Sequence, residues 1–212
     1  MCFSATASFT ASAVLSAAGV ASIKKAPRKR DQFIAAIPLL FGIQQFFEGM
    51  IWMFPNHPSY SMFFVVGFLF FAAVVWPFYI PLAVWSHEPD PERKKSLRVL
   101  VVVGAIGALY MFILGILQPV TLSFYENSVH YSIPDPIGVW GILMYIAVII
   151  CSFLLSTKPF LHWFGLSILF AAWFSWTIYN VTFTSVWCFF SALLSLAIYF
   201  YIQRLTPKKS RA

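Results

Sequence analysis

Charge is scarce in this chain. Aspartate, glutamate, lysine and arginine make up 10% of its 212 residues, against roughly 25% in a soluble globular domain. With 60% hydrophobic residues, too little polar surface remains to cover a water-soluble fold. The composition points to a single polytopic membrane domain over residues 1–212 with no separate soluble part. Cysteine is equally sparse: Cys2, Cys151 and Cys188 are too few and too scattered for a disulfide framework. No basic stretch precedes the first apolar run, so that run reads as an uncleaved entry segment and not as a signal peptide.

Other absences remove whole classes of chemistry. No lysine lies inside an apolar run, which excludes a retinal Schiff base. There is no His-x-x-x-His or His-Glu-x-x-His pair for an intramembrane zinc hydrolase. Neither a Gly-x-Ser-x-Gly elbow nor a phosphate-binding loop occurs, so no nucleotide is expected. The net charge of +7 would suggest nucleic acid in a soluble protein. Here the basic residues sit in short loops between apolar runs, so topology accounts for them and no nucleic-acid partner is expected.

What is present is seven apolar runs, expected as transmembrane helices at about 7–23, 32–54, 61–85, 97–117, 137–155, 160–179 and 185–203. The fold class is therefore all-α. The first run is rich in small residues (Ser12, Ser16, Ala13, Ala17, Ala21) and is expected to pack among other helices. Gly104, Gly107 and Gly115 read as close-packing points, and Trp76-Pro77 with Pro81 predicts a bend. Residues 118–136 read as a long polar loop. All 14 lysines and arginines fall at alternate ends of these runs, on one side of the membrane. The positive-inside rule then places the N-terminus outside and the C-terminus in the cytoplasm.

Glu48 is the only carboxylate within an apolar run, and Gln44, Gln45 and Trp52 share its helical face. A charge in hydrocarbon is costly unless paired, protonated or wetted, so this face is expected to look inward to a polar pocket. Glu48 could serve as acid or base, proton carrier, or cation or metal ligand; a packing role alone is the competing reading. The topology brings Cys2, Ser4, Tyr110, Ser175, Trp176, Asn180, Trp187 and Cys188 to the same outer half. The 118–136 loop can lay Glu126, His130 and Asp135 over it, with His130 assisting Glu48 or sitting as a surface hydrogen-bonder. Glu48, His130, Cys2 and Cys188 are the metal-ligand candidates. Cys2 and Cys188 could equally be a disulfide or two small hydrophobes. The segment 1–8 is expected to fold onto the outer mouth, with Ser4 or Thr6 as a plain helix cap as the alternative. The inner half offers little within its spans beyond Tyr79 and Ser152, with His87 and His162 beside the basic loops.

The opening Met1-Cys2-Phe3-Ser4-Ala5-Thr6-Ala7-Ser8-Phe9 resembles that of a family of uncharacterised bacterial multi-pass membrane proteins, a domain of unknown function. The likeness continues at Gln44-Gln45-x-x-Glu48-Gly49-x-x-Trp52, at Trp76-Pro77 with Pro81, and at Ser185-Val186-Trp187-Cys188-Phe189-Phe190. The resemblance implies a bacterial inner membrane and no particular mechanism. Three readings follow: a membrane-embedded enzyme on a lipid or small apolar substrate, a sensor or binding protein, and a proton- or cation-coupled transporter. The one-sided pocket favours the first two.

Overall fold

The computed structural model describes residues 4–55, 58–125, 128–132 and 138–206. Helix α1 spans Ala5–Lys25. A 3-10 turn at Lys29–Asp31 leads into α2, Gln32–Ala35, and α3, Ile37–Met53. Then come α4, Pro58–Phe70, and α5, Trp76–His87, joined by a π turn at Phe71–Val75. Helix α6 is Pro91–Leu117, α7 Gly138–Leu154, α8 Pro159–Ile178 and α9 Phe183–Leu205, the last entered through a 3-10 turn at Asn180–Thr182. Six helical segments are long and apolar enough to cross a membrane, and α7 is a shorter apolar helix. The protein is an all-α polytopic membrane protein carrying one small hairpin.

Two of the expected continuous helices are interrupted, each at a proline. The run 32–54 breaks at Ala36, because Pro38 has no N–H and its ring opposes the carbonyl of Ile34. The run 61–85 widens into the π turn ahead of Pro77. There the Trp76 N–H reaches back to Phe71 O, so the next carbonyl, Ala72, would look to residue 77. Proline cannot supply that donor, and the Tyr145 hydroxyl donates to Ala72 O instead at 2.6 Å. The predicted bend is thus a π turn whose spare carbonyl is satisfied from another helix.

Residues 118–136 do not form a featureless loop. Thr121–Tyr125 (β1) and Ser128–Ser132 (β2) pair antiparallel, with Leu122 opposite Tyr131 and Phe124 opposite Val129. That register puts four apolar side chains on one face. They pack with Ile51, Val65, Phe68 and Cys188 at one end of the bundle.

Helix α1 runs antiparallel against α3: Gly19 lies on the Leu39 backbone, Gly42 on Ser16 and Gly49 on the Phe9 ring. Its buried stripe is Ser8, Ala11, Leu15, Gly19 and Ser22, spaced by three and four residues. Helix α1 packs on both α3 and α9, among other helices as expected, but Ala13 and Ala17 face outward and take no part in that packing. On α6 only Gly104 is a close-packing point, set on the Pro77 carbonyl; Gly107 and Gly115 face open space.

The basic loops converge at one end. Thr206 Oγ1 donates to Lys25 O at 2.8 Å, Arg93 Nη1 to Leu155 O at 3.1 Å, and Lys94 Nζ lies 5.2 Å from the Trp85 ring centre. The hairpin closes the opposite end.

Candidate functional site

The centre of the hairpin end is the seam between α3 and α9. The two helices run antiparallel in a constant register, so Gln44 meets Cys188 and, one turn on, Glu48 meets Ser185. All four side chains are buried, and Gln44, Gln45, Glu48 and Ser185 are wholly inaccessible to solvent.

Gln44 uses both ends of its amide. Its Oε1 accepts from Trp76 Nε1 at 2.8 Å. Its Nε2 faces the carbonyl of Phe68 at 3.4 Å and the Cys188 sulfur at 3.5 Å. Gln44 therefore ties α3 to the helix before the π turn, to the one after it and to α9. Trp76 also stacks on Phe41, with ring centres 3.9 Å apart.

Glu48 is held by a different pair. Ser185 Oγ donates to Glu48 Oε1 at 2.5 Å, and Gln45 Nε2 donates to Oε2 at 3.1 Å. No basic side chain pairs with Glu48 in any ion pair among the described residues. Gln45 Oε1 has no partner among the described residues although it is fully buried. A buried acceptor left in that state costs about 1–3 kcal/mol, so this carbonyl is an open valence beside the carboxyl. Ser175 Oγ on α8 and Ser8 Oγ on α1 are likewise buried and unpartnered among the described residues.

The hairpin covers this end. Trp52, one turn beyond Glu48, meets Phe124 at a tilt with ring centres 5.0 Å apart, and Phe68 stacks at 4.9 Å on Tyr131. Ser128 Oγ donates to Thr182 Oγ1 at 3.0 Å, fastening β2 to the turn that opens α9. His130 lies on the other face of the strand from Val129 and Tyr131. Its Nδ1 contacts the carbonyl of Val181 at 2.5 Å, so the hydrogen bond ties the hairpin to the 3-10 turn and leads away from Glu48.

The remaining predicted residues divide. Trp187 is buried, donates from Nε1 to Ile168 O at 3.3 Å and stacks on Phe183. Together with Cys188, Tyr145 and Trp76 it lines an apolar internal cavity of about 30 Å³. Cys188 is a free thiol. Tyr110 and Trp176 are exposed by 48% and 42%, and Asn180 is also exposed; none of them is drawn into the buried cluster. Ser4 is exposed and caps α1, accepting from the Ala7 N–H at 3.2 Å. Cys2, Glu126 and Asp135 lie outside the described residues. Among the described residues no group of three or more His, Cys, Asp or Glu side chains could hold a metal ion, so Glu48, His130 and Cys188 do not come together as ligands.

A second buried polar group lies at the basic end and was not legible from spacing. His87 Nδ1 is 2.9 Å from Asp31 Oδ1, and His87 Nε2 is 2.9 Å from the Tyr201 hydroxyl. Arg28 closes on the same carboxylate, Nε to Oδ2 at 2.9 Å and Nη2 to Oδ1 at 3.3 Å. Beside it the buried carboxylate of Glu88 accepts from Ser156 Oγ, Thr157 N and Thr157 Oγ1, each at 2.7 Å, and from Asp90 N at 3.1 Å. Burial of the Glu88 carboxyl opposes ionisation, yet these hydrogen bonds outweigh it and hold the group below the usual carboxylate range. The basic end therefore adds Tyr201 within an expected span, and Asp31, His87 and Glu88 beside the spans, to Tyr79 and Ser152.

No curated protein and no solved structure matches the chain. The model of a family of unknown function (DUF6629) matches residues 1–212, from the first residue to the last. That match takes in the nonapeptide opening, the Glu48 turn of α3 and the Ser185–Cys188 turn of α9, and by it the chain belongs to that family.

Proposed function

We propose that the protein is a membrane-embedded enzyme that transfers or hydrolyses an acyl group of a lipid or small apolar substrate, with Ser185 as nucleophile and Glu48 as general base. The observation that carries the reading is the hydrogen bond from the Ser185 hydroxyl into the Glu48 carboxyl at a site closed to water. A nucleophile within reach of its base, with the base held by a third group, is the arrangement covalent acyl transfer needs. Gln45 supplies that third contact.

In this scheme Glu48 takes the Ser185 proton as the oxygen attacks the substrate carbonyl. The tetrahedral intermediate collapses, and Glu48 returns the proton to the departing alcohol. A second alcohol, or a water admitted when the substrate opens the site, then attacks the acyl–Ser185 ester by the same exchange, freeing Ser185. Ser185 stands in the first turn of α9, whose positive end favours the developing oxyanion. In this scheme the partner of Glu48 is Ser185 and not His130, which the sequence offered as its assistant.

The test is a fluorophosphonate probe on the purified chain in lipid. Labelling at Ser185, lost in Ser185→Ala and in Glu48→Gln, is the expected result. Absence of labelling in the unaltered protein overturns the enzyme reading. A coupled transporter would then be the stronger alternative, because buried titratable groups stand at both ends of the bundle.

The reading further takes α7 as a seventh crossing, which places Glu48 and the hairpin outside and the basic loops in the cytoplasm of a bacterial cell with this protein in its plasma membrane. The gathering of the basic loops at one end supports it. An impermeant thiol reagent applied to intact cells should label Asn127→Cys and spare Ser96→Cys; the reverse pattern inverts the orientation.

A further inference from the structure

We propose that Asp31, His87 and Tyr201 form a proton-binding site at the basic end of the bundle, in which His87 takes up a proton through the Tyr201 hydroxyl. This site is separate from the Glu48 site and does not depend on the enzyme reading. Asp31 and Glu48 stand at opposite ends of the second apolar run, about 25 Å apart at helical rise. Tyr201 and Ser185 stand at the matching ends of α9.

The geometry assigns each atom a role. Asp31 lies at 2.9 Å from His87 Nδ1, so in the neutral ring the proton sits on Nδ1 and donates to the carboxylate. That leaves Nε2 as an acceptor, and the Tyr201 hydroxyl is 2.9 Å away to donate to it. His87 and Asp31 are wholly buried, whereas Tyr201 is only half-buried and the Arg28 side chain is 49% exposed. The path from water to the imidazole therefore runs through Tyr201. Phe160 stacks on the tyrosine ring at 4.2 Å and 4° and fixes its direction.

Uptake is a balanced exchange. Tyr201 passes its hydroxyl proton to Nε2 and receives another from water. The imidazolium then donates from both nitrogens, to Asp31 and to the tyrosine oxygen. The charged groups that act on it are Asp31 and Arg28 from the first 3-10 turn and Lys158 from the turn before α8, with Glu88 next to His87 in the chain. Arg30 follows Lys29 on the same 3-10 turn, and Arg204 stands one turn beyond Tyr201 on α9. A chain that merely held three helices together would need no group able to accept a second proton; an amide would bridge Asp31 and Tyr201.

The experiment is nitrogen-15 histidine NMR on the full chain in lipid nanodiscs, with the His87 signals identified by their loss in His87→Gln. At alkaline pH His87 should carry its single proton on Nδ1, and on acidification it should gain one on Nε2. In Tyr201→Phe, exchange of that second proton with water should slow by about tenfold or more. A neutral ring protonated on Nε2, no uptake between pH 4 and 9 on the ordinary scale of histidine and carboxylate titration, or unchanged exchange in Tyr201→Phe would each overturn the proposal. The tautomer and the uptake are read on the unaltered chain, so they decide the matter whether or not the variant folds.

Discussion

Replacing Glu88 by alanine is expected to lower stability by about 3 kcal/mol, because a buried charged acceptor with several donors leaves each of them unpaired when it is removed. Glu88 ends α5, its N–H closing on Val84 O at 2.9 Å. Its two oxygens take all three donors offered by Ser156 and Thr157, in the turn between α7 and α8, together with the Asp90 N–H. It is thus the clasp between the α5–α6 and α7–α8 connections. Glutamine is not a neutral replacement, since its amide nitrogen would present hydrogens to an N–H or hydroxyl that are themselves donors.

The same clasp predicts a pH dependence. In the folded protein Glu88 titrates below its ordinary value of 4.5. The folded state therefore keeps the charge where the unfolded chain has already taken a proton. Its contribution is complete above 4.5 and is lost as pH falls through the lower native value. Thermal unfolding of the wild type and Glu88→Gln in detergent measures this directly. The wild-type advantage should be full at neutral pH and should shrink in acid below the ordinary carboxylate value; an advantage unchanged by acid would mean the carboxylate charge is not what the clasp uses.

The order of helices was readable because hydropathy follows the bilayer, and the gathering of basic loops because charge avoids it. Glu48 was readable for the same reason: one acid in a long apolar run stands out without any partner in view. Ser185 was not. It is one of many serines near a helix start, and only the α3–α9 register sets it against Glu48. Asp31 was hidden by its neighbours. It follows Lys29 and Arg30, so it read as part of a wet loop, while its buried partner His87, itself bonded to Tyr201, lies far off in the chain. The hairpin had a sequence signal: Leu122, Phe124, Val129 and Tyr131 alternate with polar residues on either side of Glu126-Asn127. The polarity of residues 118–136 between two apolar runs made them look like a loop.

Glu48→Leu is expected to cost about 1–3 kcal/mol, and Glu48→Gln much less. Leucine removes both acceptors, so the Ser185 hydroxyl and the Gln45 amide each lose the bond they make to the carboxyl. Glutamine keeps the shape, accepts from Ser185 through its remaining carbonyl, and can turn its amide toward the free oxygen of Gln45. Interhelical hydrogen bonds in a bilayer are worth only about 1–2 kcal/mol, since unfolded segments in lipid also find partners. The size of the loss therefore does not identify the contact, and a double-mutant cycle does. If the penalty of Glu48→Leu comes from the lost bond to the Ser185 hydroxyl, adding Ser185→Ala should return part of it, a coupling of about 1 kcal/mol between residues in direct contact. Equal stability of Glu48→Leu and the wild type would mean that water reaches the carboxyl. Strict additivity with Ser185→Ala would mean that the two side chains do not share a hydrogen bond in the membrane. Either result would remove the buried pair on which the acid–base reading of this end of the bundle stands.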